Sequence, residues 1–482
     1  MLKKTDPDII KGYLEDSSNL TGGRADGIYL PENEREIIEV VAECNAHKTP
    51  LTVSAGQTGT TGGCIPFGGW VLTTQKLDKI INIDKELKFA VVQPGVTLEA
   101  IEAAAKKEGL AYPPDPTEKK ATIGGSVSTN ASGGRCYRFG ATRNWIRRLK
   151  IVLANGISLN IKRKLISADK KNQFVLPYAT FEIPSYSMPA GKNAAGYYSA
   201  PGMDFLDLFI GSEGTLGVIS EIEISLVPQM QKTFDIIAFF PDELSAVNFV
   251  AASKEKKDTT INFYEFFDNN TLQMLKASYP NIPTKAKAAI YIEQEITAEN
   301  EKAHLDSWSA LLERSGAALD DCWLGETDKQ KEELAKFRHA IPEHINDIFK
   351  QYHQVKLATD IAVPEDKFME MFNYYNLELR TSNLFHIKFG HIGDNHLHVN
   401  LVAKNDNELK QAKELVLIFV RKAVSLGGTV SAEHGIGKIK HDYLKEMYAE
   451  AGIKEMVRIK KNFDPNLILG LNNLFPQAAL TS

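Results

Sequence analysis

Apolar residues recur along this chain with two periods, and their interchange divides it into zones. Between residues 31 and 228, strand-length apolar runs at 51–55, 70–73, 90–92 and 146–152 interchange with amphipathic stretches at 34–45 and 97–108, with glycine at the junctions. A period of two suits strands and a period of 3.6 suits helices with one buried stripe, so this zone predicts an α+β binding unit. From residue 231 to about 425 the chain turns more charged and helical. Strands are expected there at 236–240, 288–293 and 387–402, and helices at 298–314 and 329–339. A last zone, from 427 on, predicts a helix over 453–461. Residues 162–204, rich in Pro, Tyr, Ser and Ala, follow neither period and predict a long surface excursion.

Composition narrows the function classes. At 482 residues and 43% hydrophobic, the chain can build two or three sizeable cores. Its net charge of −5 and pI near 6.2 advertise neither nucleic acid nor anionic lipid as a partner. The first residues lack an apolar signal region and no window approaches a membrane span, so a cytoplasmic location, or a peripheral one at the inner face of a membrane, is expected. Cys44, Cys64, Cys136 and Cys322 are too far apart for a zinc or iron–sulfur cradle and are expected to be thiols.

Of the 11 histidines, nine fall between His339 and His441. The run Phe389-Gly-His391-Ile-Gly-Asp394-Asn395-His396-Leu-His398 lies between apolar segments of strand character, with turn chemistry at 393–395. A turn over 392–395 puts His391 opposite His396, and the two-residue strand period puts His398 on the same face. With Glu433 of Ser431-Ala-Glu433-His434-Gly-Ile-Gly437, His391 and His398 form a three-ligand set that leaves a position open on a divalent ion.

Three glycine-rich segments make up a second constellation. They are Ser54-Ala-Gly56-Gln57-Thr58-Gly59-Thr60-Thr-Gly-Gly63, then Thr122-Ile-Gly124-Gly125 through Asn130-Ala-Ser132-Gly133-Gly134, then Gly211-Ser-Glu213-Gly214-Thr-Leu-Gly217. The first follows an expected strand and suits close approach of backbone N–H groups to a diphosphate. It lacks the spacing of a Rossmann fingerprint and the lysine of a P-loop.

These segments, in this order, resemble the FAD-binding domain of the vanillyl-alcohol oxidase and p-cresol methylhydroxylase flavoproteins. The later zones resemble the FAD-linked oxidase C-terminal branch, which includes D-lactate, glycolate and D-2-hydroxyglutarate dehydrogenases. The resemblance implies an α+β fold: a two-lobed FAD-binding domain (1–228), a substrate or cap domain (229–425) and a C-terminal segment (426–482) returning to the flavin domain. It implies FAD held at Gly56, Gln57, Thr58, Gly59, Thr60, Pro114, Thr122, Gly124, Gly125, Asn130, Ser132, Gly133, Gly134, Glu213, Gly214 and Ile219. No histidine adjoins the pyrophosphate loop, so the flavin is expected to be non-covalent.

The same resemblance implies zinc, with manganese or iron as alternatives, on His391, His398 and Glu433, His434 as general base, and Arg338 as the clamp for a substrate carboxylate. The substrate would be a small 2-hydroxy acid of the D-lactate or D-2-hydroxyglutarate kind. A glycolate oxidase-type subunit, or a flavoprotein of this fold acting on another substrate, is the alternative. Electrons would leave to an external acceptor, whether quinone, electron-transfer protein or oxygen, and a homodimer is compatible with the sequence. The chain departs from the family in carrying His396 where relatives often carry Asn, in reading Leu469-Gly-Leu-Asn472-Asn473 near its end, and in placing Ala358 where a lysine for a second carboxylate often stands.

Overall fold

The computed structural model describes residues 2–176, 179–230, 232–352 and 356–480; Gln231, at the expected zone boundary, lies outside them. Two sheets build the first half. One has four strands in the order Leu2–Lys4, Gly27–Leu30, Trp70–Thr73, Leu51–Ser54, with parallel pairing around Trp70–Thr73. The other has five antiparallel strands in the order Ile80–Asp84, Phe89–Val92, Val218–Ser225, Ile146–Val152, Ser158–Lys162. The helix Glu34–His47 packs between them. Its Ile37, Val40, Val41 and Cys44 are buried at helical spacing against Leu51, Leu72, Val152 and Val218. Ile468 and Leu469 enter the same core, and Leu51 exchanges backbone hydrogen bonds with Ile468 and Gly470. The chain end therefore packs on the first sheet.

An eight-stranded antiparallel sheet forms the second half, with Lys232–Phe240, Ala288–Ile296, Ile261–Asp268, Phe385–Gly390 and His396–Val402 successive at its centre. Both faces are covered. Ile236, Ala238 and Phe240 join the core beneath helix Glu243–Lys254, while Ile237 and Phe239 join a separate core beneath helix Asp328–Gln351. This is the two-residue period of a strand buried on both sides.

Three expectations need correction. The helix expected over 329–339 runs on to Gln351 through Pro342, because Phe337, Ile341, Ile345 and Phe349 keep one buried stripe. Packing thereby outweighs the hydrogen bond that proline cannot donate. The helix expected over 453–461 begins at His441, with a break at Ala449 (φ 53°). Residues 162–204 run partly over the surface, as expected, but they are anchored in the core. Phe174 and Phe181 face each other across a hairpin and pack with Phe205 and Phe463, and Tyr197 is fully buried with its hydroxyl 2.7 Å from Thr215 Oγ1. Scattered aromatics anchor this segment without producing a period.

Candidate active site

The three glycine-rich segments adjoin. A side-chain carbon on Gly56 would sit 3.3 Å from Thr122 Cγ2. Thr122 caps the short helix Ile123–Thr129 by accepting from Gly125 N, and Ser128 O accepts from Glu213 N at 2.8 Å. Several glycines are sterically required. At Gly124 a Cβ would come within 2.6 Å of Pro94, and at Gly133 within 1.9 Å of Asp115 O. Gly214 takes φ +72°, Pro114 is buried, and Ile219 lies in the adjoining strand with 8% exposure. Thr58, Gly59 and Thr60 lie at the accessible lip of the first segment. The hydroxyls of Ser54 and Ser132 are buried without a hydrogen-bond partner among the described residues, as suits groups that meet a polar cofactor.

Three expected cradle residues direct their side chains into the protein. Gln57 donates to Gly12 O and Glu15 O. Asn130 accepts from Arg143 N and donates to Asn193 O. Glu213 accepts from Ile436 N and Gly437 N, each at 2.7 Å. They shape the cradle through the loops they hold.

The imidazole cluster lies against this cradle. A Cβ on Gly134 would approach Glu265 Oε1 to 3.0 Å and His391 Nδ1 to 3.7 Å. The hairpin turn falls at Ile392–Asp394, Phe389 pairs with His398, and the rings of His391, His396 and His398 converge with centroids 4.4 to 5.6 Å apart. Glu433 completes the group from the glycine-flanked loop. His391 Nε2 is 3.3 Å from its Oε2 and His398 Nε2 is 3.1 Å from its Oε1. His434 stands at the rim, 36% exposed, with Nε2 3.4 Å from Glu433 Oε1 and Nδ1 3.3 Å from Asp360 Oδ2. Four side chains, His391, His396, His398 and Glu433, bring one donor atom each within 4.8 Å of the others. That donor set fits a divalent ion.

Residues 25–162 match the family model described as FAD binding domain, and residues 230–472 match that described as FAD linked oxidases, C-terminal domain. The chain belongs to the FAD-linked oxidases. It is similar to the glycolate oxidase subunit GlcD of Bacillus subtilis (30% identical, covering 97% of this chain and 92% of that one). It is similar also to a D-lactate dehydrogenase of Anaerostipes hadrus (30%; 96% and 92%) and a D-2-hydroxyglutarate dehydrogenase of Stutzerimonas stutzeri (29%; 98% and 95%). The fold is shared with the 4-ethylphenol oxidase of Gulosibacter chungangensis (TM-score 0.70, 14% identical, covering 99% of this chain and 95% of that one). This FAD-linked oxidase is thus a flavin-dependent oxidoreductase. Among its described residues no helix is long and apolar enough to cross a membrane.

Three charged residues of this FAD-linked oxidase that the motifs did not single out control the cluster. Glu265 accepts from Arg338 Nε at 3.1 Å and pairs with His391 Nδ1. Burial pushes its carboxyl up, but His391 and Arg338 outweigh that and hold it at about 2. Burial likewise opposes charge on His391, and the Glu265 carboxylate overrides it, raising the imidazole to about 9. Asp360 takes up the backbone N–H groups of Glu433 and His434, Ser431 Oγ and Lys440 Nζ. Although burial raises it, His434 and Lys440 keep its carboxyl well below the usual range. Lys192, 4% exposed, places Nζ 3.0 Å from Glu433 Oε2 and 3.8 Å from Asp394 Oδ2. Against burial, Lys192 and His391 hold Glu433 ionised. Glu265 and Asp360 left one sequence signal, a lone carboxylate inside an apolar strand run; Lys192 left none in its irregular segment.

Proposed function

We propose that this oxidoreductase is a divalent-metal-assisted dehydrogenase that oxidises a D-2-hydroxy acid, of the D-lactate or D-2-hydroxyglutarate kind, to the 2-oxo acid. The observation that carries this reading is the meeting of the imidazole–carboxylate cluster with the glycine cradle at Gly134. The names of the relatives support the substrate class. His391, His398 and Glu433 would hold the ion, and the three glycine segments would hold FAD without a covalent link. When bound, these groups supply Lewis-acid polarisation of the α-hydroxyl and acceptance of a hydride.

The chain's own residues do the rest. His434 is the accessible imidazole, and it takes the hydroxyl proton at Nε2 while Asp360 beside Nδ1 orients the ring. Arg338 uses Nε to hold Glu265, and its terminal nitrogens, without hydrogen-bond partners among the described residues, take the substrate carboxylate in a forked pair. Glu265 thereby sets the clamp and the His391 ring together. Turnover would require an external electron acceptor. Anaerobic mixing of the purified enzyme with a panel of D- and L-2-hydroxy acids tests the reading. Rapid bleaching of the flavin by D-lactate or D-2-hydroxyglutarate is expected, and a flavin that stays oxidised with every hydroxy acid would sink it.

A further inference from the structure

His396 holds no role in the mechanism above, yet it is the most completely buried imidazole in the cluster. Its exposure is 0%, and neither ring nitrogen has a hydrogen-bond partner among the described residues. A buried imidazole nitrogen without a hydrogen-bond partner loses its hydration with little compensation, so a ligand for this ring is expected.

Its neighbours show what that ligand is. Each of the other imidazoles has one nitrogen beside a protein acceptor and the other aimed at Glu433. His391 Nδ1 is on Glu265, His398 Nδ1 is 3.2 Å from Thr359 O, and His434 Nδ1 is 3.3 Å from Asp360 Oδ2. For His391 and His398, this is the arrangement by which a second partner orients a metal-binding histidine. His396 has its own candidate partner, Asp360 Oδ1, 3.3 Å from Nε2 though out of line for a hydrogen bond. Its ring lies 4.4 Å from that of His398 and 5.4 Å from that of His391, and one of its nitrogens falls in the same 4.8 Å group as the donor atoms of His391, His398 and Glu433.

We propose that His396 is a fourth protein ligand, so that the site presents three imidazoles and one carboxylate. This rests on the reading of the cluster as a metal site and adds a consequence for the ion. Four protein ligands fill a tetrahedral shell, whereas an octahedral ion keeps two adjacent positions, as chelation by the hydroxyl and carboxylate oxygens of a 2-hydroxy acid requires. The site therefore calls for an ion that can exceed four ligands when substrate binds.

X-ray absorption on the Co²⁺-loaded full-length wild-type enzyme counts the imidazoles without any substitution: three are expected, and two overturn the proposal. Chelator competition on His396→Gln should show Co²⁺ affinity reduced more than the about 10–100-fold typical of losing a second partner, with FAD content retained. Wild-type Co²⁺ affinity in folded, flavin-loaded His396→Gln removes His396 from the shell. If His391→Ala and Glu433→Ala also bind Co²⁺ as the wild type does, the metal reading itself fails, a result distinct from loss of the fourth ligand alone.

Discussion

At the residue scale, His434 and Arg338 are expected to fail differently. Replacing His434 by Asn removes proton transfer in the transition state, so kcat should fall by about 10²–10⁴ with substrate binding nearly unchanged. Flavin reduction at the wild-type rate near neutral pH would exclude it as the base. Arg338→Ala removes a charge-assisted pair and should weaken substrate binding by about 1.5–3 kcal/mol; an unchanged half-saturating concentration in rapid-reaction titrations would refute the clamp. Lys192 carries a third expectation. Its ammonium is 3.0 Å from the buried Glu433 carboxylate, and removing one member of a buried pair costs about 3–5 kcal/mol. Lys192→Met, compared with wild type after chelator treatment, should lose stability of that order in denaturant titration. A loss under about 1 kcal/mol, the range of an exposed pair, would show that Glu433 does not depend on it.

At the element scale, the hairpin of Phe385–Gly390 and His396–Val402 explains why three histidines of one short run meet. Turn residues set the register, and the strand period turns His396 and His398 to one face. This much is legible from adjacent residues. The flavin segment ending at Gly134 supplies the second surface, and its fit is tight. Gly134→Ala would place a methyl 3.0 Å from Glu265 Oε1, shifting that carboxylate by a few tenths of an ångström against His391 and Arg338. The variant should fold and bind FAD while flavin reduction by substrate slows at least tenfold; reduction at the wild-type rate would show that Glu265 can give way without consequence. The helix Asp328–Gln351 was harder to read, because Pro342 suggests an end where only the partner core shows that the apolar stripe continues.

At the scale of the whole molecule, Glu213 clasps the flavin segment to the loop that carries Glu433 and His434. Burial raises its carboxyl to about 7, against the pull of the two backbone N–H groups. In the unfolded chain it ionises near 4.5, so between that pH and 7 the folded form holds a proton the unfolded form has released. Stability should fall by about 3 kcal/mol as pH rises across that window and level off above it. Glu213→Gln lacks this term, so its unfolding free energy relative to wild type should shift in its favour between pH 5 and pH 8. A pH-independent difference would show that Glu213 titrates normally.

What could be read from sequence is what neighbouring residues decide together: glycine backbone freedom in three segments, the hairpin turn, and the face on which His391, His396 and His398 converge. Those depend on local sterics and on a period of two, which act within a few residues. Glu265, Asp360 and Lys192 reach the cluster from a strand, a strand end and an irregular segment far along the chain. No local pattern identifies such partners, because a buried charge is tolerated only where folding brings its counter-charge within a few ångströms. Tertiary structure therefore decided which carboxylates and cations govern the site, and that Phe174, Phe181 and Tyr197 anchor the irregular segment in the core.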